Sequence, residues 1–209
     1  MEGPIPRFHQ YSNFLDADER SVLLEWAFEQ QSCFKPTSLT SGVTDPAWRV
    51  SERLVDLGPT GNTFTARMRE LGADVFEQTG TSRFEVEHYE LEIVAHGDGA
   101  HYAAHSDIPV GEGRRPLGGD RTKTQDRLLS AVYYFHREPK GFSGGQLRLH
   151  RFGSDNKPGD YVDIEPLQNS LVIFPSWTIH EVLKVHCRSG AFENYRFAIN
   201  CWLCQTLPR

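Results

Sequence analysis

Phe84-Glu-Val-Glu-His-Tyr-Glu-Leu-Glu-Ile-Val-Ala95 decides the fold class of this chain, because apolar and polar side chains alternate through it with the period of a strand. Upstream the period is helical. Asp16-Ala-Asp-Glu-Arg-Ser-Val-Leu-Leu-Glu-Trp-Ala-Phe28 opens with acids and spaces Val22, Leu23, Trp26 and Ala27 as an amphipathic helix, with Phe8 to Phe14 extended before it. Thr63 to Gln78 resumes that spacing through Phe64, Met68, Leu71, Val75 and Phe76. Between the two, residues 36–63 are rich in Pro, Gly, Ser and Thr, with one strand-like island, Trp48 to Leu57.

Downstream, Gly97-Asp-Gly99 predicts a turn, Ala100 to Asp107 another extended stretch, and residues 108–127 a charged, glycine-containing loop. Further strands are predicted at Leu128–Phe135, Gly145–Phe152, Tyr161–Ile164, Ser170–Phe174, Thr178–Val185 and Arg196–Leu203. Short strands punctuated by Gly, Pro and Asp imply a mainly-β chain with flanking helices, an antiparallel sandwich or barrel. We expect one domain over residues 1–209, with 1–80 as helical and strand support and 81–209 as the β core.

The 38% hydrophobic and 24% charged content are those of a soluble globular protein. A net charge of −6 speaks against a nucleic-acid partner, and no apolar run is long enough to span a bilayer. The start of the sequence has no apolar signal-peptide core, which gives a cytoplasmic expectation. Cys33, Cys187, Cys201 and Cys204 are too scattered for a disulfide framework, and one CxxC without a second pair reads as reduced thiols before zinc.

Chemistry enters with His105-Ser-Asp107 and the distant Pro175-Ser-Trp-Thr-Ile-His180-Glu-Val182. Residues i and i+2 of a strand face one side, so His105 and Asp107 can reach one ion, with His180 as a third ligand from a neighbouring strand. Two imidazoles and a carboxylate suit ferrous iron, leaving three coordination positions open. Among nine histidines this choice has rivals. His101 and His105 have helical metal spacing, but Gly97 and Gly99 lie just upstream and no Glu follows His101. His96-Gly-Asp98 repeats the HxD pattern in a glycine-flanked turn, where strand geometry is not expected. His88, His136, His150 and His186 are assigned to surface or packing roles.

Several segments then occur in one order: Tyr102-Ala-Ala-His105-Ser-Asp107, Ala131-Val-Tyr-Tyr134-Phe, Gly144-Gly-Gln-Leu-Arg-Leu149, Asp163-Ile-Glu-Pro166, Pro175 to Val182, and Arg196-Phe-Ala-Ile-Asn-Cys-Trp202. Together they resemble the Fe(II)/2-oxoglutarate-dependent oxygenases, in particular the prolyl-hydroxylase-like branch, well over residues 82–203 and loosely before. The resemblance implies a double-stranded β-helix (a jelly-roll, cupin-like core) with the N-terminal helices packed against it. It implies iron held by His105, Asp107 and His180, and 2-oxoglutarate and O2 as cosubstrates, with ascorbate as an optional reductant. Arg196 would bind the distal carboxylate of 2-oxoglutarate through a planar, charge-assisted fork. Tyr134 would share that carboxylate. Tyr133 faces the opposite side by alternation, so the adjacent pair is ambiguous, with Tyr134 preferred. Tyr102 is either a hydrogen-bonding group near the metal or an aromatic wall, and Val132, Leu147, Val182 and Trp202 are expected to line the cosubstrate pocket.

Two departures accompany the resemblance. The interval from His180 to Arg196 is long for this branch, which leaves Lys184 and Arg188 as alternative cations. The loop at 108–127, which carries Arg114, Arg115, Asp120, Arg121 and Lys123, is also long and is either a lid or a solvated connection. The implied reaction is hydroxylation of an unactivated C–H bond coupled to decarboxylation of 2-oxoglutarate to succinate, and Asp107 favours hydroxylation over halogenation. The substrate is either a prolyl or other residue of a protein, or a free amino acid or small natural product. A metal-binding sensor of cupin type without turnover is the reading from another class. Trp48 to Arg53 and the 108–127 loop are expected to border the substrate opening.

Overall fold

A computed structural model describes residues 6–37, 45–108, 123–151 and 160–208. Strand β1 (His9–Ser12) leads into helix α1 (Ala17–Glu29), followed by the short strands β2 (Lys35–Pro36), β3 (Arg49–Val50) and β4 (Glu52–Leu54). Helices α2 (Gly58–Glu70) and α3 (Asp74–Thr79) come next, then β5 (His88–His96) and β6 (His101–His105). The remaining strands are β7 (Lys123–Phe135), β8 (Ser143–Gly144), β9 (Leu147–His150), β10 (Tyr161–Ile164), β11 (Ser170–Pro175), β12 (His180–Val182), β13 (Val185–His186) and β14 (Arg196–Pro208).

Two antiparallel sheets face each other, as in a double-stranded β-helix. The larger runs β1-β11-β7-β14-β5-β4-β2 and the smaller β10-β9-β12-β6-β3, with β13-β8 as a separate ribbon. Register explains how one strand serves two cores. In β14, Phe197, Ile199, Cys201 and Leu203 join Ile93, Ala95, Tyr133 and Phe135 on the outer face, where Leu23 and Ala27 of α1 and Phe64 and Met68 of α2 cover them. The alternate residues Ala198, Tyr134 and Val132 face inward onto Leu147, Leu149, Ile164, Val172 and Phe174. Strand alternation therefore divides helix packing from the interior.

Several expected boundaries shift, some for local reasons and some through long-range pairing. Helix α1 starts where expected, because Asp16 caps it: its carboxylate accepts from Glu19 N (2.9 Å) while Glu19 accepts from Asp16 N (3.0 Å). The helix expected over Thr63–Gln78 is two helices, parted at Gly72 (φ 53°), and the first begins earlier, with Pro59 in its opening turn. The Trp48–Leu57 island is two strands in different sheets: Arg49–Val50 pairs with β6, and Glu52–Leu54 pairs with β5. Ser51 sits at the crossing, buried and bonded to Thr37 Oγ1 (2.9 Å). The strand expected over Thr178–Val185 is likewise divided, since Leu183 N bonds Gln146 O between β12 and β13. Most of the expected 108–127 loop, and Phe152, lie outside the described residues. No helix among the described residues is long and apolar enough to cross a membrane.

Candidate active site

His105 and His180 are cross-strand partners in the smaller sheet, at the end of β6 and the start of β12. Asp107 is not in the strand as expected. β6 ends at His105, and Asp107 occupies the following bend, held by its N–H donating to Ser176 O (3.1 Å). The bend still turns the carboxylate to the histidines: His105 Nε2 lies 3.9 Å and His180 Nε2 3.7 Å from its oxygens. One donor atom from each of the three residues falls within 4.8 Å of the others.

The donors are prepared for a cation. Nδ1 of His105 donates to Ala103 O and Nδ1 of His180 to Thr178 O, each at 2.9 Å, which turns both Nε2 atoms toward the shared space. Burial, then the neighbouring His180, pushes the His105 pKa down to about 3, so the ring is neutral at pH 7. Burial alone would raise Asp107, but the two imidazoles and the Ser130 hydroxyl outweigh it and hold the carboxyl below its usual range. Ser130 Oγ donates to Asp107 (2.6 Å) and accepts from Ser176 Oγ (2.9 Å). A neutral imidazole at His105 and an ionised Asp107 are the forms a metal ion takes.

Arg196 opens β14 and is 1% exposed, yet its Nε and Nη2 have no hydrogen-bond partner; Nη1 donates to His96 Nδ1 (3.1 Å). The guanidinium lies 4.9 Å from the centre of the Tyr134 ring, whose buried hydroxyl is also without a partner. Burial pushes the Tyr134 pKa up to about 12, with Arg196 opposing, so the phenol keeps its proton. Orphaned donors of this kind, buried beside a metal-type donor set, fit an acidic ligand such as the distal carboxylate of 2-oxoglutarate. The residues present therefore fit both iron and cosubstrate. At Gly145 (φ 72°) an added Cβ would meet Arg196 Cδ at 2.6 Å, so the glycine lets this arginine pass.

A cavity of about 700 Å³ joins the His-Asp-His cluster to Arg196, and Val132, Leu147, Val182, Trp202 and Tyr102 line it with them, while Tyr134 lies behind its wall, buried against Arg196. Tyr102 stacks on His105 (centroids 3.6 Å apart), an aromatic wall for the metal ligand. Tyr133 turns to the outer core and donates to Asn169. Lys184 and Arg188, the alternative cations, are exposed and do not line the cavity.

His96 is the residue that sequence reasoning set aside and the structure puts inside. It ends β5 directly opposite Arg196, buried, and burial together with Arg196 and Arg49 holds its pKa well below the usual value. Trp48, Arg49 and Arg53, from the stretch expected to border the substrate opening, line the cavity with Arg127, from the end of the expected 108–127 loop, and Glu92, Ser130 and Asn200 line it unannounced. A signal for some of them existed. In β5, β7 and β14 the inward register carries Glu92, His96, Ser130 and Asn200 in phase with Tyr134 and Arg196, polar residues at positions that a sealed core would fill with apolar ones.

A jelly roll holding a His-Asp-His cluster between its sheets, beside a buried arginine with two unpaired donors, fits a non-haem metal centre with a site for an acidic cosubstrate. The sequence profile of the 2OG-Fe(II) oxygenase superfamily matches residues 91–204, and the chain belongs to that family. An uncharacterised PKHD-type hydroxylase of Synechocystis is 30% identical over 204 residues; the match covers 94% of this chain, which spans only 62% of that relative's length. Among solved structures, a Pseudomonas putida prolyl-4-hydroxylase superposes with a TM-score of 0.65 at 22% identity, covering 96% of this chain and 94% of that one. A Trichoplax adhaerens prolyl hydroxylase in complex with a hypoxia inducible factor peptide fragment gives a TM-score of 0.67 at 20% identity, covering 94% and 83%. At these identities the solved structures establish the shared fold.

Proposed function

We propose that this chain is a Fe(II)- and 2-oxoglutarate-dependent hydroxylase of prolyl-hydroxylase type, with His105, Asp107 and His180 holding the metal. The two unpartnered donors of Arg196, Nε and Nη2, in the same cavity as the His-Asp-His cluster carry this reading, because they fit the distal carboxylate of a cosubstrate beside the metal. Bound together, iron, 2-oxoglutarate and O2 supply oxidation of an unactivated C–H bond to the alcohol, with succinate and carbon dioxide as co-products.

The chain's own residues do the positioning. The two imidazoles and Asp107 occupy one side of the ion and leave the rest of its coordination sphere to exchangeable ligands. Arg196 and the Tyr134 hydroxyl donate to the distal carboxylate, while His96, accepting from Nη1, keeps the guanidinium in one orientation. Val132, Leu147 and Trp202 exclude water along the cosubstrate, and Val182 closes the side of β12. A peptidyl proline as substrate is supported by the kind of relatives the chain resembles, one of which is solved with a peptide fragment. The four unpaired cysteines support a reducing, cytoplasmic setting.

Anaerobic titration with Fe(II) and 2-oxoglutarate is expected to give a metal-to-ligand charge-transfer band that His105→Ala abolishes and Arg196→Gln shifts to much higher cosubstrate concentration. A wild-type protein without the band, or a band unchanged in His105→Ala, overturns the assignment. Succinate release under oxygen, with prolyl peptides or free amino acids and with or without ascorbate, then separates turnover from sensing.

A further inference from the structure

Arg49 and Arg53 enter the cavity from different sheets, Arg49 on β3 of the smaller and Arg53 on β4 of the larger. Both converge on one carboxylate. Glu92 Oε1 is 3.5 Å from Arg49 Nη2, and Glu92 Oε2 is 3.4 Å from Arg53 Nη1. Glu92 is 6% exposed and also accepts from Asn200 Nδ2 at 3.0 Å. Tight charge-assisted pairs sit at about 2.7–2.9 Å, so neither guanidinium closes fully on this acid. Among the described residues no second carboxylate lies within 4.0 Å of either.

The cavity's other charges are already matched. Arg127 is held by Glu90 through two bonds, Nε to Oε2 (2.9 Å) and Nη2 to Oε1 (2.5 Å). Asp107 belongs to the metal cluster and Arg196 to the cosubstrate. What remains among the described residues is two guanidinium groups against one carboxylate, an excess of one positive charge on the cavity wall. The Arg49 and Arg53 side chains are 11% and 39% exposed, so one is sheltered and the other reaches toward solvent. An uncompensated cation at such a place is costly unless a ligand brings the opposite charge. The location is next to the chemistry: Arg49 lies 4.4 Å over the Tyr102 ring, and Tyr102 stacks on the metal ligand His105. Trp48, 40% exposed, supplies an apolar rim.

We infer that Arg49 and Arg53, sharing Glu92, form a specificity-determining subsite that reads a carboxylate on the substrate beside the carbon to be oxidised. This rests on the hydroxylase reading, in which the two carboxylates of 2-oxoglutarate are taken by Arg196 and the metal. One excess charge matches a carboxylate and not a phosphate dianion. The carboxylate comes either from an acidic residue near the target in a peptide or from the α-carboxyl of a free amino acid.

Calorimetry on the chain loaded anaerobically with Fe(II) and 2-oxoglutarate tests this with two matched pairs: a proline-containing tetrapeptide with Asp beside the proline against its Asn counterpart, and L-proline against L-prolinamide. At least one acid is expected to bind about tenfold or more tighter than its amide, the scale of a lost charge-assisted contact. The pair that shows the preference identifies the source. Arg53→Gln and Arg49→Gln each reduce the preference, Arg53→Lys keeps part of it, and Glu92→Gln strengthens it. The subsite is overturned by equal binding of acid and amide, by no binding of any probe up to about 10 mM, or by a preference that persists in the Arg49→Gln/Arg53→Gln double variant. The charge-transfer band, retained in these variants, shows an intact metal site. Its absence from wild type fails the hydroxylase reading instead, and the acid–amide comparison on the iron-free chain still decides the subsite.

Discussion

Ser130 shows how far a metal site extends beyond its ligands. Its hydroxyl gives Asp107 a short bond and takes one from Ser176, so the carboxylate is aimed before any cation arrives. Ser130→Ala is expected to weaken Fe(II) or Mn(II) binding by about 10- to 100-fold, measured by anaerobic competition titration, with little change in far-UV dichroism. His96 makes a prediction in pH. Its folded-state pKa lies far below the unfolded value near 6.5, so the unfolded chain takes up the proton first. Its contribution to stability is whole above about pH 6.5 and is lost as pH falls toward the folded value, by up to about 1.4 kcal/mol per pH unit. Urea denaturation between pH 7.5 and 5.5 is expected to show a shallower decline in His96→Gln than in wild type. The three candidate ligands and Arg196 were legible because the short segments that carry them occur in one distinctive order. His96 was not, because a flanking Gly97 and Gly99 pair signals a turn whether the histidine lies in it or, as here, ends the strand before it.

At the scale of elements, Asn169 fastens the N-terminal segment to the larger sheet. It adopts φ 57° at the start of β11, and its side chain accepts from Leu15 N (2.9 Å) and Tyr133 Oη (2.9 Å) while donating to Leu15 O (2.8 Å). Asn169→Ala removes three buried bonds and places Ala at a positive φ, so a loss of about 2–4 kcal/mol is expected in chemical denaturation. Asn169→Gly relieves the backbone part alone and is expected to fall between. The elements themselves were largely readable wherever one face is buried, since alternation or helical spacing then leaves its mark, as in β10 and α1, and β5 keeps much of the alternation because its cavity-facing side carries polar residues. Boundaries set by long-range bonds were not. Nothing local in Arg49-Val-Ser-Glu-Arg53 says that the chain changes sheets at Ser51, because the partners that divide it are β6 and β5, brought there by the fold.

Across the whole molecule, the two sheets are fastened by different means. The larger has the helices against its outer face, with Tyr133, Phe135 and Phe197 packed beneath α1 and α2. In the smaller, His105 on β6 faces His180 on β12, and β12 is three residues long. A metal ion held by both would tie these strands directly, and binding to the folded chain alone stabilises it by about 2.7 kcal/mol at a hundredfold excess over Kd. Thermal unfolding is expected to shift upward with Mn(II), to return with chelator, and to show no shift in His105→Ala. Because His105 and His180 stand far apart in sequence, an unassembled chain does not hold this pair of imidazoles together. Metal capture by the proposed triad would thus act as an inspection of assembly: only a chain that has closed β12 against β6 brings both imidazoles to one ion.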